Sequence, residues 1–138
     1  MAKLIVDASA AASWLLASQA TRPALDLLDR LPSFEPMAPH VFQWEIGNLL
    51  VRQARRESGF DLREALTLLD AFGISSAPPF TRDDLRLLAL FAASRGLSLY
   101  DASYLWLAMA TDCAIASRDA GLIKAANAAS VDVFDLRD

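Results

Sequence analysis

The sequence predicts an α/β fold, a three-layer α/β/α sandwich around a short parallel sheet of four to five strands. Three observations carry that expectation. Short apolar segments alternate with longer segments of helical period, the pattern of a parallel sheet with crossover helices. The first apolar segment, Leu4-Ile5-Val6, reads as a buried strand that ends at Asp7. No repeat, low-complexity tract or interdomain linker interrupts the 138 residues, 54% of them hydrophobic, so a single domain over 1–138 is expected.

The elements follow in order. After the strand Lys3 to Val6, Ser9 is expected to cap a helix through Leu16. Thr21, with Pro23 in the first turn, opens a second helix carrying Leu25, Leu27, Leu28 and Leu31. Phe34 to Ala38 reads as a second strand despite Pro36. Pro39 starts a long helix to about Ser58, with Gly59 as its stop, and Asp61 caps the next. Ile74 to Ala77 is a weak strand. Thr81-Arg82-Asp83-Asp84 starts a helix that ends near Arg95-Gly96. Tyr100 to Thr111 is helical, Cys113 to Ala116 a short buried strand, Asp119 to Ala129 the last helix and Val131 to Phe134 the last strand.

Bulk properties narrow the function. No apolar run approaches the ~20 residues of a membrane span, and the first seven residues break into charge too early for a secretory signal. Cys113 is the only cysteine, which excludes an internal disulfide and a cysteine-based zinc site. A cytoplasmic protein with no membrane partner is the expectation. A formal charge of −4 and a pI near 4.9 argue against binding nucleic acid through overall charge, yet leave room for an acidic metal site with a local arginine patch.

Four acids stand where chemistry is expected. Ligands of such sheets bind beyond the carboxyl ends of the strands, and Asp7 and Asp119 stand just past two of them. Each has a second reading as a helix N-cap. Glu45 lies at the edge of the apolar stripe Val41, Phe42, Ile46, Leu49 and Leu50, where a carboxylate is partly desolvated unless protonated or paired. An arginine partner is the alternative there, and Asn48, one turn on, is a candidate hydrogen-bond donor. Asp101 opens a strongly apolar helix and is also readable as a cap.

Taken together, Ile5-Val6-Asp7-Ala8-Ser9, Pro39 with Glu45 six residues on, Tyr100-Asp101-Ala102-Ser103-Tyr104 and Ser117-Arg118-Asp119-Ala120-Gly121-Leu122 resemble the successive motifs of PIN-domain toxins of the VapC type, over essentially the whole chain. The resemblance implies that Asp7, Glu45, Asp101 and Asp119 form a metal site, with Ser9, Asn48 and Ser117 in support. Ser117 stands where such proteins often carry threonine, and Leu122 where some relatives place another acid. The implied cofactor is Mg2+, which Mn2+ can replace at an all-oxygen site. The implied activity is endoribonuclease cleavage to a 5′-phosphate and a 3′-hydroxyl. The implied partners are RNA, a VapB-type antitoxin and a second copy of the chain.

Arg52, Arg55 and Arg56 complement a helix dipole, while Arg52 and Arg118 are also candidate phosphate contacts. His40, the lone histidine, reads as structural. Trp14, Trp44 and Trp106 read as core or interface residues, with base stacking as the lesser alternative, and the second and fourth helices offer apolar faces to a second subunit. The competing functions are a catalytically silent PIN-like binding module and a phosphoryl-transfer domain. The latter is disfavoured because no second acid lies near Asp7 and the only lysines are Lys3 and Lys124.

Overall fold

A computed structural model describes residues 1–138. It contains strands β1 (Ala2–Val6), β2 (Phe34–Ala38), β3 (Ser75–Ser76), β4 (Ala114–Ser117) and β5 (Val133–Asp135). The helices are α1 (Ala8–Leu15), α2 (Arg22–Arg30), α3 (Val41–Arg56), α4 (Leu62–Ala71), α5 (Arg82–Arg95), α6 (Leu99–Thr111) and α7 (Ala120–Ala128). The sheet is parallel throughout, in the order β3-β2-β1-β4-β5. Helices α1 to α4 pack among themselves, as do α5 to α7, giving the expected three layers. Leu4, Ile5 and Val6 are fully buried because layers cover both faces of the central strand.

Strand order decides where a site can form. The chain leaves β1 towards β2 on one side and returns later to β4 on the other, so a crevice opens at the carboxyl ends of β1 and β4. Val6 pairs with Ala116, which sets the residues after both strands side by side.

Several expected boundaries move, each for a local reason. Asp7, not Ser9, caps α1: its carboxylate accepts from the Ala10 N–H at 2.8 Å, which starts the helix at Ala8. Ser98 rather than Asp101 caps α6. Helix α3 stops at Arg56 because Glu57 is extended; Gly59 has no left-handed role, whereas Gly96 at φ 66° caps α5. Only Ser75 and Ser76 pair in register with β2, with the Ala77 N–H adding one bond to the Ala38 carbonyl, so β3 is two residues long and does not pair with Pro36, where proline is tolerated. The fourth strand begins one residue later than expected and the last two later, because Asp112 and Ser130 in left-handed backbone turn the chain first.

The tryptophans divide. Trp14 is core: its indole N–H donates to the Ala24 carbonyl at 2.9 Å and its ring meets Phe72 edge-on. Trp106 packs edge-on against Phe91 and is only partly covered. Trp44 is 75% exposed and so, of the core and interface places expected, is not in the core, because it points away from the stripe that α3 buries. The apolar faces expected on α2 and α4 are open at Leu25, Leu66 and Leu68, and α5 exposes Leu87 and Leu90 further. No helix is long and apolar enough to cross a membrane.

Candidate functional site

Asp7, Glu45, Asp101 and Asp119 line one cleft of about 250 Å3, together with Ser9, Gln19, Leu49 and Tyr104. They arrive by four routes: the end of β1, the second turn of α3, the first turn of α6 and the cap of α7. A larger hollow of about 670 Å3 lies at the opposite, amino end of the strands. Its only charged lining residues are Lys3, Asp112 and Asp132, so it lacks a comparable set of converging acids.

Asp7 is the most enclosed of the four, at 4% exposure. Its carboxylate accepts from the Ser9 hydroxyl at 2.7 Å, the Ala10 N–H and the Ser117 hydroxyl. Ser117 also accepts from the Asp119 N–H at 2.9 Å, and Ser9 accepts from the Arg118 N–H at 2.9 Å. Two hydroxyls thus lock the ends of β1 and β4 together. Asp119 caps α7 through the Leu122 N–H at 2.8 Å, yet it is exposed and keeps a free oxygen for the cleft. The cap and ligand readings are therefore compatible at both aspartates.

Glu45 pairs with no arginine; the ion pairs of the protein are Arg22–Asp26 and Asp135–Arg137, both elsewhere. Instead the Tyr104 hydroxyl donates to it at 2.7 Å, tying α6 to α3 across the cleft. Sequence reasoning missed this role for Tyr104, although its place three residues after Asp101 on a helix was a signal. Gln19, in a short turn after α1, carried no signal. Asn48 is exposed, makes no side-chain hydrogen bond and does not line the cleft, because it sits off the face shared by Glu45 and Leu49. Arg52 lies two turns beyond Glu45 on that same face and is exposed. His40 precedes α3 without a side-chain capping bond.

Electrostatics mark the cleft as one in want of positive charge. Burial pushes the Asp7 carboxyl up to about 6, against the hydrogen bonds from Ser117, Ser9 and Ala10, and the Asp119 charge adds to the rise. Burial, then Asp119 and Glu45, push Asp101 to about 6. Glu45 is raised by burial, with Tyr104 pulling the other way. Tyr104 is itself raised, by burial and by its acceptor Glu45. Like charges converging in a partly desolvated cleft call for a cation.

The donor set is all oxygen and anionic, which suits Mg2+ or Mn2+. No three of these groups close into a ready-made metal cage. Magnesium usually takes only one or two protein carboxylates directly and keeps several waters, so it does not require such a cage. Tyr104→Phe is expected to lower any activity of this cleft about tenfold with little change in stability, because it frees the Glu45 carboxylate to rotate while keeping the buried ring. Steady-state cleavage rates and a thermal melt check both halves.

The chain matches the PIN domain family over residues 4–128. Among solved structures it is similar to the crystal structure of PAE2754 from Pyrobaculum aerophilum, with 22% identity, a TM-score of 0.68, and coverage of 90% of this chain and 84% of that one. At that identity the likeness speaks for the fold alone. No curated protein matches the chain. The family match over nearly the whole length makes this chain a member of the PIN domain family, whose members are generally nucleases and typically use divalent metals.

Proposed function

We propose that this chain is a Mg2+-dependent endoribonuclease and the toxin of a VapBC-type pair, acting in the cytoplasm and restrained by a cognate VapB-type antitoxin. The observation that carries the catalytic part is the meeting of Asp7, Glu45, Asp101 and Asp119 in one cleft at the switch point of the sheet. Asp7 and Asp119 are the residues assigned to hold the cation. Asp101 holds it directly or through water, and Glu45 orients the attacking water or holds a second ion. When bound, the cation supplies Lewis acidity towards water and neutralises charge on the phosphate.

The chain's own groups do the positioning. Ser9 and Ser117 fix the rotamer of Asp7 through their hydroxyls. Tyr104 holds Glu45 facing the cleft, where its raised affinity for a proton suits it to take one from water. In the hydrolysis, the water oxygen bonds to phosphorus and the P–O3′ bond breaks. The 3′ oxygen takes a proton from solvent, leaving a 5′-phosphate. Arg52, on the face of α3 that continues from Glu45, is assigned to the RNA backbone. The homodimer implied by the resemblance has apolar surface available at Leu25, Leu66 and Leu68.

Cleavage of single-stranded RNA is expected with Mg2+ and to vanish with EDTA, returning when excess Mg2+ or Mn2+ is added. RNA bound but never cut under any of these conditions would instead support a silent binding module. For the toxin assignment, expression should arrest growth, and co-expression of a small adjacent partner gene should relieve it.

A further inference from the structure

We propose that Arg118 is a receiver for a backbone phosphate of the RNA strand, parked on Gln19 until the strand enters the cleft; this rests on the nuclease reading above. Arg118 lies between Ser117 and Asp119, and its backbone N–H is held by the Ser9 hydroxyl at 2.9 Å, so the hydroxyl network that orients Asp7 also fixes the root of this side chain. Its Nη1 reaches the Gln19 Oε1 at 3.3 Å, and Gln19 lines the acidic cleft. Its Nε is sealed from solvent and has no partner.

A guanidinium carries five N–H donors, and here a single long bond engages one of them. A buried cationic donor left unmatched raises the free energy of the resting state. The acids do not relieve it: none of the four cleft carboxylates forms an ion pair with Arg118. The chain shows elsewhere what the unmatched edge is suited to. Arg137 grips the Asp135 carboxylate with Nε at 2.9 Å and Nη2 at 2.7 Å. The corresponding Nε/Nη2 edge of Arg118 is the one left without a partner.

At rest Nε is closed to solvent, so the guanidinium must swing off Gln19, which lines the cleft, before this edge can meet an oxyanion. The edge then matches the oxyanion in charge and in two-pronged geometry. A phosphodiester strand laid across the acids brings such oxyanions at every nucleotide. Exchange sacrifices only the 3.3 Å contact to Gln19 and ends the isolation of Nε. Arg118 is thus a binding residue that offsets repulsion between the strand and the acids, next to the cleaving groups but outside them.

The test separates binding from cleavage. Affinity for a short single-stranded RNA is measured in an Asp7→Asn background over a salt series, with Arg118→Met and Arg118→Lys added, while the wild type is assayed for cleavage. Arg118→Met keeps the apolar stem and removes an unmatched buried donor, so the melting temperature should hold or rise. It is expected to weaken binding about tenfold and to flatten the salt dependence by roughly 0.7 in slope, the value of one phosphate contact on a single strand. Arg118→Lys, with charge but no fork, should lie between. Unchanged affinity and slope in Arg118→Met, or no RNA binding in the background protein, overturns the assignment. A wild type that cuts no RNA while Arg118→Met loses affinity overturns the nuclease reading and leaves the phosphate contact standing.

Discussion

Asp7→Asn is expected to lower RNA cleavage by about a thousand-fold or more while leaving the protein folded and, without divalent cations, more stable at neutral pH. The catalytic loss follows from removing one of the two carboxylates assigned to the cation, whose transition-state stabilisation is worth several kcal/mol, roughly a factor of a thousand in rate. The stability gain has a separate cause. Asp7 is buried and its carboxyl is raised to about 6, so at pH 7 the metal-free fold carries a desolvated charge that asparagine lacks. Asparagine still presents an oxygen to the Ala10 N–H, and its amide faces the Ser117 hydroxyl, which can turn and accept. Cleavage assays and melts in EDTA at pH 7 read the two effects independently. A folded Asp7→Asn protein with full activity would remove the basis for the metal assignment.

The second expected result is that the metal-free protein loses stability as pH rises from about 4 to about 6. The folded Asp7 carboxyl binds its proton up to about 6, whereas the unfolded one releases it near 3.8. Between those values the native state holds more protons than the unfolded state, so stability falls with rising pH, and the loss is complete above the folded value. For Asp7 alone the difference corresponds to about 3 kcal/mol. Asp101 and Glu45 shift the same way but are more open to solvent, and they reinforce the direction. Asp135, held below its ordinary value by Arg137, acts oppositely from an exposed position outside the cleft. Comparison with Asp7→Asn isolates the effect: denaturation in EDTA should show a steeper fall for the wild type, and Mg2+ should stabilise it more at pH 7 than at pH 5. Parallel curves for the two proteins would contradict a desolvated Asp7.

Much of the fold was legible in residue spacing. The continuous apolar run Leu4 to Val6, the Thr21 and Thr81 caps and Gly96 each act within a few residues of themselves, so local chemistry suffices to place them. Boundaries drifted where two local signals competed. At the start of α1 both Asp7 and Ser9 can cap, and the outcome depends on Ser9 being drawn to Asp7 and to the Arg118 N–H. Gly59 resembled a helix stop, but Glu57 had already left the helical conformation. Trp44 illustrates a different limit: its hydrophobicity suits a core or an interface, and its place on the side of α3 opposite the buried stripe keeps it out of this chain's core.

The sequence by itself determined the α/β alternation, the acids and their order, and the oxygen-only chemistry they favour, because these depend on residue identity and short-range spacing. Only the tertiary structure decided that β1 and β4 are neighbours, that Ser117 reaches Asp7 across 110 positions of chain, that Tyr104 rather than an arginine holds Glu45, and that Arg118 rests on Gln19. Those contacts follow from strand order and from which groups water can still reach. Both are set by the packing of the whole sheet against its helices, and no local run of residues encodes them.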